Sequence, residues 1–269
     1  MKKLITIDLD GTLLTQESTI TDYSFQTIQK LTELGHTVVL ATGRPLSGAL
    51  PFHQQLGLMT PLITDNGGTI TLPTENNRIL KQAFIPKEIM HRLFIDSKAF
   101  VTSSFFCFND VTYAYNYQNW IENHFAGICK EKLEHGDLSD FNIEPSGIIY
   151  FILREKQHHF ERYVEREFGD ILNFRSWGAD QETAVYEIYL KSVSKSTAIQ
   201  YLINLYGFKH EDWIAFGDAV NDIDMIADAH WGVAMKNASL EVKAVANDQT
   251  DWTNHEDGVA NYLIRYFNL

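Results

Sequence analysis

Cysteine is scarce in this chain: Cys107 and Cys129 are the only two, too few and too far apart for a disulfide framework or a Cys-rich zinc site. That scarcity fits a reducing compartment, and a cytoplasmic protein is expected. Positive charge is short as well. Lys and Arg number 22 against 35 Asp and Glu, a formal net charge of −13. Such a balance repels polyanions at long range, so nucleic acid is not expected as a partner. A small anionic ligand stays open, provided its site brings its own positive charge. No apolar run approaches the roughly 20 residues that cross a bilayer, so no membrane partner is expected either. Lys2-Lys3 precedes a short apolar stretch, but Asp8 ends it before a secretory segment would finish, and export is not expected. Walker A, the dinucleotide glycine fingerprint and the nucleophile elbow are all missing, which removes the commonest nucleotide-binding and serine-hydrolase readings. No internal repeat or low-complexity tract interrupts the chain.

A hydrophobic content of 45% with 21% charged residues is that of a folded chain, and 269 residues allow one large domain or two modest ones. Short apolar runs end abruptly in polar or glycine-rich residues: Leu4 to Ile7 before Asp8, Val38 to Ala41 before Thr42, and Trp213 to Phe216 before Gly217-Asp218. Leu62 to Thr64 before Asp65-Asn66-Gly67-Gly68, and Gly232 to Met235 before Lys236-Asn237, follow the same rule. Apolar runs without alternation are the mark of parallel strands buried on both faces, the doubly wound α/β arrangement. Helical patterns lie between them. Thr21 to Leu34 stops at Gly35 and Lys195 to Tyr206 at Gly207, glycines suited to the left-handed position after a helix. Ligands of open α/β sheets bind outside the carboxyl ends of the strands, so Asp8, Thr42 and Asp218 should converge on one crevice.

The middle reads differently. Helices are expected near Lys87 to Lys98, Asn119 to Glu134 and Phe160 to Phe168, and strands at Phe100 to Phe108 and Val111 to Tyr115, with Asn109-Asp110 as their turn. Further strands are expected at Ile148 to Leu153, Ile171 to Phe174 and Val185 to Leu190. An inserted α/β domain over residues 84–183 follows, within a core made of 1–83 and 184–269. The aromatic cluster from Phe100 to Trp120 is read as core, because aromatics dominate core burial.

Two constellations carry chemistry. In Asp8-Leu9-Asp10-Gly11-Thr12, two carboxylates two positions apart project to one side of an extended chain, and Gly11 lets it turn away. Unit charges about 4 Å apart repel by roughly 4 kcal/mol at an effective dielectric near 20, so a cation or a shared proton must neutralise them. An EF-hand loop is excluded, since Leu13 and Thr19 stand where its glycine and glutamate belong. In Gly217-Asp218-Ala219-Val220-Asn221-Asp222, Asp218 and Asp222 face the same crevice ahead of a helix from Asp222 to Ala229. For a lone Asp the bland reading is a helix cap. Four acidic groups arriving from two strands fit a hard divalent cation, and with few competing histidines Mg²⁺ suits them better than zinc or copper. In Ala41-Thr42-Gly43-Arg44-Pro45, the Thr42 hydroxyl and the amides beyond it, Gly43 first, can hold phosphoryl oxygens; an N-cap with Arg44 on the surface is the competing reading. Lys195 stands where a helix begins, opposed to the helix dipole by a few tenths of a kcal/mol, and a bound anion would explain it.

In order and spacing, these segments resemble the four motifs of the haloacid dehalogenase superfamily, and most of all its Cof-type phosphatases. The likeness extends to Asn66-Gly67, to Gly232-Val233-Ala234-Met235-Lys236-Asn237-Ala238 and to Glu256-Asp257-Gly258-Val259-Ala260. It implies a Rossmann-like core with an inserted α/β cap. Asp8 is then implied as nucleophile and Asp10 as general acid, then base. Asp8, the backbone carbonyl of Asp10 and Asp218 are implied as Mg²⁺ ligands, with Asp222 supporting the metal site. Thr42 and Lys195 would hold the phosphoryl group and Asn221 would position it. Ser196 stands where the family more often has glycine, which leaves Lys191 as an alternative to Lys195. The expected function is Mg²⁺-dependent hydrolysis of small phosphorylated metabolites, sugar phosphates foremost, through an aspartyl-phosphate. A phosphosugar mutase of the same superfamily and a non-catalytic phosphometabolite-binding protein are the alternatives.

Overall fold

The computed structural model describes residues 2–109, 111–118 and 132–269. The chain forms two compact units, one joining the segment up to Lys81 to Ser194–Leu269, the other Gln82–Val193.

The first unit begins with β1 (Leu4–Ile7), whose four residues are all buried: Thr6 with its hydroxyl accepting from Trp213 Nε1 at 2.9 Å, and Leu4, Ile5 and Ile7 as apolar side chains. Each such side chain taken fully out of water contributes about 1.5–3 kcal/mol. The helix α1 (Asp22–Glu33) is capped by Thr21, whose side chain accepts the Ser24 amide. The chain then enters β2 (Thr37–Leu40), parallel to β1 with Ile7 opposite Leu40. After α2 (Leu46–Gln55) come β3 (Leu62–Thr64), β4 (Thr69–Leu72) and β5 (Arg78–Gln82), which make a separate three-stranded sheet. The sequence places Leu62 to Thr64 in the parallel sheet, and this is corrected. The strand β3 runs antiparallel to β4 and meets the parallel sheet through a single bridge, Ile63 to Ala41. Asp65, Asn66 and Gly67 all have positive φ, and three left-handed residues in succession fold the chain straight back into a hairpin.

In the second unit, α3 (Lys87–Ser97) precedes β6 (Val101–Phe108), β7 (Val111–Tyr115), β8 (Leu133–His135) and β9 (Gly147–Leu153). It continues through α4 (Gln157–Phe168) to β10 (Leu172–Ala179) and β11 (Thr183–Leu190). The six strands lie in the order β10-β11-β9-β6-β7-β8, antiparallel except for the parallel pair β7 and β8. Ala184, Tyr186 and Ile188 of β11 are buried and alternate with half-buried neighbours, and a core of Tyr150, Phe160 and Tyr186 forms on that side. Phe106 stacks on Tyr113 at 5.1 Å between ring centres, so these aromatics are core as expected. Two expectations change here. Most of the helix expected over Asn119 to Glu134, like Trp120, Cys129 and the Asp110 half of the Asn109-Asp110 turn, lies outside the described residues; its last two positions, Leu133 and Glu134, are strand, paired with Thr112 and Tyr113. The boundary expected after Thr183 also shifts. The strand β11 is held on both sides by β9 and β10, so the unit closes only at Val193.

The chain returns to the first unit with α5 (Lys195–Tyr206), capped by Ser194 and ended by Gly207 at φ +70°. There follow β12 (Trp213–Gly217), α6 (Ile223–Asp228), β13 (Trp231–Ala234), α7 (Leu240–Val245), β14 (Asp248–Gln249) and α8 (Gly258–Phe267). The strand order is β14-β13-β12-β1-β2, with every pair parallel. The fold class is the expected α/β one. Because β12 lies beside β1 with Phe216 opposite Ile7, the carboxyl ends of both strands open at the same level.

Candidate active site

Asp8 is the first residue past β1, and its amide still donates to the Phe216 carbonyl at 3.1 Å. The chain then makes one wide turn over Leu9–Leu13, closed by the Leu14 amide on the Leu9 carbonyl at 2.9 Å. Gly11 sits in that turn at φ +76°, and a Cβ there would collide with the Asp218 carboxylate. The glycine is therefore required twice, by its backbone conformation and by the acid packed against it. The turn separates the two carboxylates of the motif: the Asp8 side chain is 5% exposed and that of Asp10 47%.

From β12 the chain delivers the second pair. Asp222 is fully buried, and one of its oxygens accepts the amides of Asp218 and Ala219 at 3.0 and 3.1 Å, which folds the loop over it. Thr12 donates to Asp218 at 2.8 Å and ties this loop to the turn after β1. One oxygen from each of Asp8, Asp218 and Asp222 falls within 4.8 Å of the others, a set that can hold a metal ion. The expected gathering of four carboxylates is thus corrected to three, because the Asp10 side chain points elsewhere; the Asp10 ligand implied by the resemblance is its backbone carbonyl. Burial raises the pKa of the Asp8 carboxyl well above its ordinary value, and Asp222 adds to it against the opposing pull of Lys195. Burial, then the charge of Asp222, pushes Asp218 up to about 7.

Lys195 is the cation of this cluster. It is fully buried at the first position of α5, donating to Asp8 at 2.5 Å and to Asp222 at 2.6 Å. Burial alone would lower its pKa, but Asp222 and Asp8 outweigh that and carry it to about 12. Its place against the helix dipole is thus compensated by side-chain carboxylates. Lys191 is not brought to the cluster: its ammonium donates to the Gly169 carbonyl at 2.7 Å in the other unit. The hydroxyl of Ser196 is engaged by Asp228 at 2.6 Å.

Thr42 follows β2, next to Asp8 across the ladder, where the Ala41 amide donates to the Ile7 carbonyl at 3.0 Å. Its buried hydroxyl accepts the Arg44 amide at 3.1 Å, and Asn66 donates its own amide to the Thr42 carbonyl at 3.0 Å. A Cβ on Gly43 would come 3.0 Å from the Asn66 side chain, so the two loops are in close contact. Asn221 donates to the Asn66 side-chain oxygen at 2.9 Å, while its own Oδ1 is buried with no hydrogen-bond partner among the described residues. Asn66-Gly67 thereby links the Thr42 loop to the Asp218–Asp222 loop, and a Cβ on Gly67 would strike the Ser194 carbonyl just before Lys195. The competing reading, with Arg44 on the surface, is not what the structure shows. Its guanidinium is only 12% exposed and grips Asp10 through two hydrogen bonds of 2.7 and 2.5 Å. Only the Thr-Gly-Arg context marked this residue, since its partner lies 34 positions upstream in another loop.

A family model described as haloacid dehalogenase-like hydrolase matches residues 5–263. The Bacillus subtilis 5-amino-6-(5-phospho-D-ribitylamino)uracil phosphatase YitU is 31% identical over 269 residues, covering 99% of this chain and 98% of the relative. The Escherichia coli pyridoxal phosphate phosphatase YbhA is 28% identical, covering 97% of each. Among solved structures, a haloacid dehalogenase-like hydrolase from Bacteroides thetaiotaomicron superposes with a TM-score of 0.81 at 28% identity, covering 99% of this chain and 100% of the other.

Proposed function

The chain belongs to the haloacid dehalogenase-like hydrolases, and from that premise we propose that it is a Mg²⁺-dependent phosphatase of small phosphorylated metabolites, working through an aspartyl-phosphate on Asp8. The observation that carries this reading is the buried triangle of Asp8, Asp218 and Asp222 with Lys195 among them. Three carboxylates face one lysine there, so negative charge is in excess, and an all-oxygen donor set with no histidine or cysteine suits a hard cation. Asp8, Asp218 and the carbonyl of Asp10 would hold the ion, with Asp222 behind them. Once bound, Mg²⁺ neutralises charge on the phosphoryl oxygens and on the carboxylates around it.

The residues of the chain do the rest. Phosphoryl transfer asks mainly for in-line positioning and charge neutralisation. An Asp8 oxygen forms a bond to phosphorus while the bond from phosphorus to the substrate oxygen breaks, and Asp10 gives that departing oxygen its proton. Water then attacks the phosphorus of the aspartyl-phosphate while the bond from phosphorus to the Asp8 oxygen breaks, Asp10 takes a proton from that water, and the products are the free alcohol, inorganic phosphate and the regenerated Asp8 carboxylate. Lys195, Thr42 and the Gly43 amide would hold the phosphoryl oxygens, and the second N–H of the Asn221 side-chain amide, beside the one given to Asn66, would orient the group.

The named activities of the two relatives share a phosphate ester on a primary carbon of a small polar molecule. That class, sugar and sugar-alcohol phosphates foremost, is the substrate class proposed here. Phosphate release from a panel of such esters tests the reading. Asp8→Asn is expected to reduce release at least about 10⁴-fold with an unchanged fold, as loss of a covalent nucleophile does, and exhaustive chelation to silence the wild type until Mg²⁺ is restored. A fully active Asp8→Asn protein overturns the covalent route. An isomerised sugar phosphate in place of free phosphate identifies a mutase, and binding without turnover a sensor.

A further inference from the structure

We propose that Arg44 is a positioning residue for the proton-donating carboxyl group of Asp10, an inference that rests on the phosphatase reading. Asp10 needs such a partner. Its side chain is 47% exposed on a turn that contains a glycine, where an unheld carboxylate samples several rotamers. A proton donor, however, must sit within hydrogen-bond reach of the departing oxygen, and a displacement of about 1 Å can cost about 10²-fold. Arg44 restricts the carboxylate as a fork, with Nε on one oxygen at 2.7 Å and Nη2 on the other at 2.5 Å.

The fork itself is held on every side. The guanidinium lies over the Phe52 ring at 5.1 Å, Nη1 donates to the Gly48 carbonyl at 3.3 Å, and Nη2 reaches the Ser18 hydroxyl at 3.3 Å. Its backbone is pinned at both ends: the amide donates to the Thr42 hydroxyl at 3.1 Å, and the carbonyl accepts the Asp65 amide at 3.1 Å. The loop that carries Thr42 thus also sets where Asp10 points, and two groups assigned to opposite ends of the breaking bond share one rigid support. Asp10 also lines a cavity of about 440 Å³ with Gly11, Thr15, Ser18, Asn237 and His255, and its side chain is 47% exposed while Arg44 holds it. At that exposure of the Asp10 carboxylate, solvent screens the pair and limits what it adds to stability, so the fork serves direction more than stability.

The test uses the leaving group. The ratio kcat/KM reports the first half-reaction, in which a 4-nitrophenolate leaves without help and an alkoxide needs the proton from Asp10. Arg44→Met is expected to lower kcat/KM for an alkyl phosphate such as a hexose 6-phosphate by about 10- to 100-fold, part of the roughly 10²–10⁴ that a general acid contributes. For 4-nitrophenyl phosphate the loss should stay below about threefold. Arg44→Lys, which keeps the stem over Phe52 but not the fork, should show the same selectivity at smaller size, and it decides the matter if the methionine variant misfolds. In an Asp10→Asn background, Arg44→Met should cost nothing further on either ester. Equal losses on both esters, or a full loss added on top of Asp10→Asn, overturns the assignment while the phosphatase reading stands. A wild type that releases phosphate from neither ester removes both.

Discussion

Two cations meet carboxylates in the same crevice of the first unit, and they do so under opposite conditions. At the buried end, Lys195 and Asp222 are fully enclosed and Asp8 is nearly so. At the open end, Arg44 holds an Asp10 that is 47% exposed. Burial makes the first set strong and inseparable: little water competes, and removing one partner strands the others. Exposure makes the second energetically cheap, so its worth lies in geometry. A compact ammonium serves where two carboxylates approach from different elements, and a planar fork serves where one carboxylate must be aimed. Charge magnitude governs the deep end of the site and direction governs the open end.

Lys195→Met should therefore produce a large loss of both fold and function. It leaves the Asp8 and Asp222 carboxylates buried without their cation, an expected cost of about 3–5 kcal/mol read by denaturant unfolding. Activity should fall by about 10²–10³-fold at saturating Mg²⁺, as for loss of one charge-stabilising donor. A variant as stable and active as the wild type would erase the distinction between the two ends.

The pH dependence of stability sharpens it further. In metal-free protein, the folded state holds the Asp218 proton up to about pH 7, where burial and Asp222 have moved its pKa from an ordinary 3.8. The unfolded chain has already released that proton, so the folded state binds more protons between about pH 4 and 7, and stability falls as pH rises through that window. At about 1.4 kcal/mol per unit the total is a few kcal/mol. Asp8, raised in the same way and partly by Asp218 itself, pushes with it, while His36 and His53, whose pKa values burial lowers, push the other way; the quantity to measure is the wild type against Asp218→Asn, in which the histidine contributions cancel. The difference should favour the variant increasingly from pH 4 to 7, and Mg²⁺ should abolish it. A pH-independent difference would mean that Asp218 is not held protonated by its surroundings.

How much of this was legible in the sequence follows the same division. Leu4 to Ile7 and Trp213 to Phe216 are runs in which every side chain is buried, so the pattern alone locates the strands, and the crevice rule then places Asp8 and Asp218 together. The partners of Lys195 were not legible. They come from the ends of two other elements, and a residue opposed to a helix dipole shows only that some negative charge is near. Arg44 was harder still, because its role depends on a contact across 34 residues between two loops without periodicity. In the second unit, Leu133–His135 pairs with Thr112–Ala114 through a register that nothing local encodes. The last strand of that unit, Thr183–Leu190, forms a hairpin with Leu172–Ala179 but takes its other neighbour, Gly147–Leu153, from across the intervening helix.

The smallest expected effect tests the open end from its periphery. Ser18 touches Arg44 only through one 3.3 Å contact from Nη2, the same nitrogen that already makes the 2.5 Å bond to Asp10. Water can replace a hydroxyl at an exposed site at little cost, and the fork keeps its Phe52 and Gly48 supports. Ser18→Ala should therefore change kcat/KM for either ester by less than about twofold and stability by less than about 0.5 kcal/mol. If it instead reproduces the leaving-group selectivity expected of Arg44→Met, the aim of Asp10 depends on the whole loop after β1. The open end would then be as tightly interlocked as the buried one, with hydrogen-bond geometry taking the part that enclosure plays around Lys195.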